Sequence, residues 1–387
     1  MLMPLLVPLG AAALMGRLGL GFYLSGLVRA KNAAGTALRA LTDVSVAVLA
    51  FWAVGYALME GNVHAIFDAD RSFYAWGFFF AVMVLWASGP LLGATLERGR
   101  FFSTVAGGFL MAAVVVPLAA EWAWRGWLHR MGFIDVAGSA VFHLAGGLAA
   151  AAGAILIGSR SGKYNRDGST NFIPGHSATL ALSGIVAMLI GFVPSVMGMA
   201  LAHRADYALA AGDALIAAAA GGVAALVYSQ IRFGRPEVYL IGAGFLGGMI
   251  SAAGAAGQMP TWAAAILGAV AGVIVPAGMV HLEMHHKIDD PGGGIAVHGI
   301  AGAWGTIGAG LVTLKLRQIG VQCLGLAAIG LLAFAVTTAG FLLLKLVTQL
   351  RLSDAEEYDG IDLVEHDLNS YPDFQQTMIK SYHLREA

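Results

Sequence analysis

Two short segments carry histidines at matching positions in an otherwise apolar sequence. DVAGSAVFHLAGG begins at Asp135 and DPGGGIAVHGIAG begins at Asp290, and in each the Asp is followed eight residues later by a histidine, His143 or His298. Glycines recur three and twelve residues after each Asp. Imidazole gives and takes protons near neutral pH. The pair therefore has the chemistry to bind a small polar molecule and to carry a proton.

Each of these residues also has a structural interpretation. A single histidine in a membrane helix can serve only as an interhelical hydrogen-bonding group, but a pair at equivalent positions favours a site. No further Cys, Asp or Glu lies at the depth of His143 or His298, so we expect no metal and no cofactor. Asp135 and Asp290 each precede a helix and could cap it. The cap is favoured for Asp290, which Pro291 follows.

The composition indicates where these residues lie. Of 387 residues, 58% are hydrophobic and only 12% are charged, whereas about a quarter are charged in soluble domains. Mean hydropathy is +0.75. A single cysteine, Cys323, excludes intrachain disulfides, and a net charge of −1 gives no basic footprint for nucleic acid. No nucleophile motif, phosphate loop or cofactor fingerprint accompanies the histidines, so we expect a polytopic membrane protein rather than an enzyme.

The apolar stretches predict eleven transmembrane helices, since a bilayer core requires about 20 apolar residues. Stretches without Asp, Glu, Lys or Arg cover 72–96, 101–120, 136–159, 168–203, 238–282, 291–314 and 318–344. The turn signal GAAGQMP at 254–260 divides the 238–282 stretch into two helices. Weaker runs at 1–28, 44–59 and 214–231 complete the count. The chain thus divides into a transmembrane domain, 1–349, and a polar C-terminal tail, 350–387.

Loop charges and the repeat predict the topology. Lys and Arg number eleven in the loops after odd-numbered helices and six after even-numbered helices. The positive-inside rule then places the N-terminus outside and the tail in the cytoplasm. Five helices per half require opposite orientations, so the fold is predicted to be two inverted five-helix repeats plus a final helix. Each histidine would lie about 12 Å below its own membrane face, near the midplane.

Six segments, in order along the chain, resemble the Amt/Mep/Rh superfamily of ammonium transporters, specifically its Amt branch. They are GFYLSGLVRAKN at 21–32, GATLERGRF at 93–101, GFIDVAGSAVFHLAGG at 132–147, IPGHSATLALSG at 173–184, DDPGGGIAVHGIAGAWG at 289–305 and DGIDLVEHDLNSY at 359–371. The resemblance implies a homotrimer in the cell membrane with one pore per subunit. It also implies regulation by a PII-type protein at the cytoplasmic face. We further predict that the 359–371 motif contacts the cytoplasmic loops, either of its own subunit or of the adjacent one.

The resemblance assigns roles to individual residues. His143 and His298 resemble the twin histidines that line the pore, and Asp135 resembles the acid near the outer recruitment site. Trp124 resembles the tryptophan of the outer vestibule, and Phe79 the outer phenylalanine of the pore gate. The implied function is ammonium recruitment at the vestibule, deprotonation, and passage of ammonia through a hydrophobic pore that excludes potassium.

Several positions depart from the family pattern. The second gate phenylalanine would fall near Met83 or Ala211, neither of which is aromatic, so Met83 is the residue expected to narrow the pore. Pro194 is expected to kink helix 6. Arg17 lies inside helix 1, with Asp43 one candidate partner. These departures keep open an alternative, an ammonium sensor that binds without efficient transport and signals through the tail.

Overall fold

The computed structural model describes residues 3–62 and 71–372, and this part of the chain is helical, without a β-strand. Ten of its helical spans are long and apolar enough to cross a membrane. They are α1 Pro4–Leu27, α2 Ala30–Glu60, α3 Tyr74–Ala94, α4 Phe101–Met131, α5 Ser139–Ile157, α6 Ala178–Ala202, α7 Tyr207–Phe233, α8 Val238–Ala255, α9 Thr261–Met284 and α11 Leu316–Lys345. An eleventh helix, α10, consists of a π-helical turn, Gly294–Ile300, continued by Ala301–Leu311. The predicted all-helical membrane fold is confirmed.

Helix α2 begins earlier than predicted. The apolar run was expected to start at residue 44, because Arg39 and Asp43 interrupt it, but the helix extends back to Ala30. Both charged side chains are buried, and both are paired: Arg39 with Glu365 and Asp43 with Arg17. Helix α6 also begins ten residues later than its apolar run, and it continues through Pro194 as α-helix.

Two pairs of equivalent helices from the two predicted repeats contact each other. Helix α1 packs along α6, and α5 packs against the π turn of α10, so equivalent helices of the two halves contact each other. The α1–α6 contact is reciprocal at two glycines. A Cβ on Gly19 would lie 2.6 Å from the carbonyl oxygen of Gly184, and one on Gly184 would lie 2.5 Å from that of Gly19. Glycine at both positions is what allows the backbones to approach so closely.

The C-terminal tail packs against one end of the bundle, here called the tail face; the opposite end is the far face. The tail contains two short helices, α12 Asp354–Asp359 and α13 Ile361–His366. Asp362 accepts hydrogen bonds from the amides of Ala34 (3.2 Å) and Gly35 (2.7 Å) near the start of α2. Other tail contacts join Arg39 to Glu365, Lys31 to the carbonyls of Glu357 and Tyr358, Ser161 to Asp354 and Glu357, and His176 to Tyr371. The predicted contact between the 359–371 motif and the loops is therefore present within one chain.

A buried ionic network joins the loops of the tail face. Arg160 donates two 2.8 Å hydrogen bonds to the carboxylate of Asp289 and also contacts Glu97, which in turn accepts from Arg29. Burial alone would raise the pKa of Asp289, but the hydrogen bonds and charge of Arg160 hold it well below its usual range. Arg160 and Arg29 likewise lower the pKa of Glu97 against the effect of its burial. These pairs fix the loops that follow α1, α3, α5 and α9.

Candidate functional site

Helices α5 and α10 begin with the same backbone device. Gly138 and Gly293 have positive φ values of 88° and 67°, which glycine adopts readily. Each precedes a π-helical turn, Ser139–Leu144 or Gly294–Ile300, and these turns contain His143 and His298. Such π turns are rare and occur frequently at functional sites.

The preceding aspartates cap these turns in the same way. Asp135 Oδ2 accepts from the amides of Ala140 (3.1 Å) and Val141 (2.9 Å), the residues five and six positions later. Asp290 Oδ2 makes the equivalent bonds to Ile295 (2.8 Å) and Ala296 (3.3 Å). In both aspartates the other oxygen, Oδ1, is buried without a hydrogen-bond partner among the described residues. The capping interpretation therefore holds for both.

The histidine side chains meet where α5 crosses α10. Glycines again allow the crossing: a Cβ on Gly302 would lie 2.5 Å from the amide nitrogen of Leu144. Nδ1 of His143 lies 2.9 Å from Nδ1 of His298, with the rings stacked at 28° and 5.1 Å between centroids. One Nδ1 must carry the hydrogen and the other must accept it, so the two rings adopt different tautomers. Both side chains are buried.

Aromatic rings flank the pair at positions that the sequence analysis did not select. The rings of Phe192 on α6 and Trp86 on α3 lie 5.8 and 6.0 Å from the ring of His143. They pack edge to face on each other at 5.4 Å, and Trp86 Nε1 donates to Ser195 Oγ at 3.0 Å. Neither ring comes from Met83 or Ala211, the two positions considered for the second gate aromatic.

Trp124 and Asp135 lie together on the far-face side of α4 and α5. Trp124 Nε1 donates to the backbone carbonyl of Asp135 at 2.7 Å, which fixes the indole. The rings of Phe80, Phe142 and His203 surround it at 5.5, 5.8 and 5.1 Å. Burial raises the pKa of Asp135 to about 7, against the lowering effect of the amides it caps. Asp135 as a whole is only 3% exposed.

The two remaining predicted residues lie along α3. Phe79 is fully buried beside Trp76 and against α6, where a Cβ on Gly198 would meet its ring. It is Phe80, the next residue, that packs on Trp124. Met83 is also buried, at the end of the helical segment Arg71–Met83, which the segment Leu85–Ala94 follows. The gate roles of Phe79 and Met83 remain predictions.

Arg17 is paired, and Asp43 is its partner. Asp43 Oδ2 also accepts from Ser88 Oγ at 2.6 Å, so the cluster joins α1, α2 and α3. Arg17 donates further to the carbonyls of Ala40 and Leu85, both at 3.3 Å. Among the described residues, no group of three or more His, Cys, Asp or Glu side chains could hold a metal ion.

Comparison with known proteins gives one consistent family. A family model described as Ammonium Transporter Family matches residues 5–371. Ammonium transporter Amt2 of Archaeoglobus fulgidus is 32% identical over 399 residues, covering 92% of this chain and 85% of its own length. A solved structure described as a sensor Amt protein superposes with a TM-score of 0.90 at 30% identity, covering 94% of this chain and 98% of its own. Mep2 of Saccharomyces cerevisiae, 22% identical with a TM-score of 0.80 over 92% and 88% of the two chains, shares the fold.

Proposed function

Because the chain belongs to the ammonium transporter family, a family of multi-pass membrane transporters rather than enzymes, we propose that it carries ammonium nitrogen across the membrane as neutral ammonia. The observation that supports this is the 2.9 Å contact between the Nδ1 atoms of His143 and His298, buried at the crossing of α5 and α10. The paired imidazoles offer hydrogen bonds to ammonia and a path for its proton, in surroundings too apolar for a bare cation.

Recruitment begins at the far face, beside Trp124. Its indole attracts ammonium by a cation–π interaction, worth about 0.5–2 kcal/mol. The carboxylate of Asp135 adds a negative field nearby, since the backbone carbonyl of the same residue accepts a hydrogen bond from Trp124 Nε1. Phe79 and Met83 narrow the path between this vestibule and the histidines. Potassium matches ammonium in charge but has no proton to give up, so it cannot enter in neutral form.

The chain functions in the cell membrane as a homotrimer with the far face outside. The loop charges support this orientation, which makes the tail face cytoplasmic. A PII-type regulatory protein would then meet the tail, whose motif 359–371 packs against the first turns of α2. Blue-native electrophoresis gives the oligomeric state, and protease access in right-side-out vesicles gives the orientation.

The test of transport is ammonium-driven alkalinisation of proteoliposomes that contain a pH dye. Vesicles with wild-type protein should alkalinise faster than empty vesicles, and an excess of potassium should not slow this alkalinisation. His143→Ala and His298→Ala should each change the rate or the ammonium-to-potassium discrimination while the protein stays folded. Leu18→Ala, on the exposed side of α1, is the control and should match wild type. Wild-type flux equal to that of empty vesicles would refute transport.

An ammonium sensor is the second candidate, and one comparison favours it specifically. The solved structure with a TM-score of 0.90 is described as a sensor Amt protein. In a sensor, ammonium at the vestibule would change the docking of the tail without measurable flux. Hydrogen exchange of residues 350–372, with and without ammonium, tests this directly. Ligand-dependent protection of the tail in a protein without flux would favour the sensor over the transporter.

A further inference from the structure

The indole of Trp86 is held in one orientation beside the histidine pair. Its Nε1 donates to Ser195 Oγ at 3.0 Å, and the Ser195 hydroxyl donates in turn to the carbonyl of Gly191 at 2.8 Å. The ring of Phe192 packs edge to face on the indole at 5.4 Å. Trp86 is 9% exposed and Ser195 is 3% exposed. Three residues of α6 therefore position one aromatic ring of α3 against His143, whose ring lies 6.0 Å from it.

The benzene edge of the same indole occupies a notch in α1. A Cβ on Gly16 would lie 2.4 Å from Cζ2 and 2.6 Å from Cη2 of Trp86. Carbon atoms pack at about 3.5–4.0 Å, so a residue with a Cβ at this position would displace the ring. The three atoms nearest to this Cβ all belong to Trp86. Glycine at position 16 therefore makes room for the indole in particular.

Trp86 and Gly16 both line a small cavity next to the histidine pair. The cavity has a volume of about 10 Å³, and Arg17 and His298 are among its other lining residues. A volume of this size is close to the smallest that holds one water molecule. On the side of α3 the cavity can widen only if the indole moves, and such a movement would break the hydrogen bond to Ser195.

Ammonia and methylamine differ at such a place in size alone. Ammonia is about as large as a water molecule, whereas methylamine has one methyl group more. Both are neutral bases with a lone pair, and both form cations with N–H donors. A cation–π contact or a proton transfer would therefore accept either of them. Rejection of one extra carbon by a closed apolar wall can change selectivity by roughly 10- to 200-fold.

We infer that Trp86 sets the upper size limit of the pore at the histidine pair, so that ammonia passes and methylamine and larger amines are excluded. The inference rests on the proposed function for its substrate. Its structural basis is the indole fixed between Gly16 and Ser195, which limits the space beside His298 to about one water-sized molecule.

The test compares the entry of ammonia and of methylamine into proteoliposomes that contain a pH dye, each measured above the rate in empty vesicles. Trp86→Leu removes most of the indole, and the ratio of methylamine entry to ammonia entry should rise by on the order of tenfold. Trp52→Leu is the matched control, since Trp52 on α2 is 54% exposed, and it should keep the wild-type ratio. An unchanged ratio in W86L overturns the inference.

Two further variants test the notch in α1 and do not depend on the folding of W86L. Trp86→Phe keeps an aromatic ring in the core and should raise the same ratio. Gly16→Ala forces a Cβ and a displaced indole into the space beside the cavity, so ammonia entry should fall. Phe lacks Cζ2 and Cη2, the atoms that this Cβ would meet, so the double variant G16A/W86F should recover the ammonia entry that G16A loses. A G16A protein with wild-type ammonia entry, or a double variant no better than G16A, overturns the inference.

Failure of the size limit and failure of the proposed function give different results. If wild type passes ammonia but W86L discriminates as wild type does, transport stands and the size limit fails. If wild type passes neither amine, the proposed function fails. Methylamine entry through W86L would then still support Trp86 as the residue that closes the path, and its absence would overturn that role.

Discussion

Replacing Asp135 by Asn should stabilise the protein and weaken ammonium recruitment at the same time. The side chain is buried with Oδ2 capping two amides and Oδ1 unpaired. Burial raises its pKa from 3.8 to about 7, which corresponds to a cost on the order of 4 kcal/mol for holding the charged form in the fold. Asn keeps an acceptor for the cap, carries no charge, and removes this cost.

The sign of the pH dependence follows from the raised pKa. Below about pH 4 the carboxyl is neutral in both the folded and the unfolded state, so wild type and D135N should be equally stable. Between about pH 4 and 7 the folded state holds a proton that the unfolded state has released, so wild-type stability falls as pH rises. Above about pH 7 the full difference in stability between wild type and D135N is present. Thermal unfolding of both proteins in detergent from pH 4 to 8.5 measures this difference.

Ammonium recruitment should change in the opposite direction. D135N removes the negative field behind Trp124, so the half-saturating ammonium concentration should rise and lose its dependence on pH around 7. Wild type should show weaker recruitment as the pH of the far face falls below about 7, because Asp135 is then protonated.

Two controls separate the charge of Asp135 from its cap. D135A also removes the charge but loses the acceptor for both amides, so it should be less stable than D135N by about 1–2 kcal/mol. D290N changes the equivalent cap at the tail face, where burial raises the pKa to about 6; it should be stabilised without altering recruitment. A D135N protein less stable than wild type at pH 8, or one with unchanged recruitment at that pH, would refute the reasoning.

Three further predictions concern the supports of the site. Gly302→Ala places a Cβ 2.5 Å from the Leu144 amide nitrogen. The variant should lose about 1–3 kcal/mol of stability and most of the ammonium flux. A variant with wild-type flux would show that the close crossing of α5 and α10 is not what positions the histidine pair. Arg160→Ala leaves Asp289 buried without its ion-pair partner and should lower the free energy of unfolding by about 3–5 kcal/mol. Because the folded pKa of Asp289 is depressed, the difference in thermal stability between variant and wild type should shrink as pH falls below about 4. Asp362→Ala removes the acceptor for the amides of Ala34 and Gly35 in α2, so limited proteolysis should cut the tail faster. An unchanged cleavage rate would contradict the role of Asp362 in docking the tail.

The sequence predicted the number of helices well and their ends less well, for a physical reason. Apolar length is a local property, so uninterrupted runs such as those of α5 and α11 could be recognised directly. The start of α2 could not, because Arg39 and Asp43 look like loop residues until their partners are known. Those partners, Glu365 and Arg17, are 326 and 26 residues away in the sequence. A search for stretches without charged residues therefore misplaces the end of a helix wherever a buried ion pair lies inside that helix.

The candidate site was likewise predictable from the sequence only in part. The meeting of His143 and His298 was predictable because the repeat carries information about symmetry, and symmetry brings equivalent positions together. Trp86 and Phe192 have no counterpart in that repeat pattern. They reach the histidines only because α3 and α6 pass beside α5, which is a property of helix packing rather than of spacing along the chain. An apolar aromatic residue gives no sequence signal that distinguishes a pore wall from ordinary core.

The two buried ion pairs of the bundle differ in what could replace them. Arg160 and Asp289 join separate loops at the tail face through two parallel hydrogen bonds, a geometry that an apolar pair of similar volume would not reproduce. Arg17 and Asp43 join helices that already pack along their length. Buried pairs of this second kind can often be exchanged for apolar residues without loss of stability. Joint replacement by apolar residues of similar volume should therefore be tolerated at Arg17 and Asp43 but not at Arg160 and Asp289.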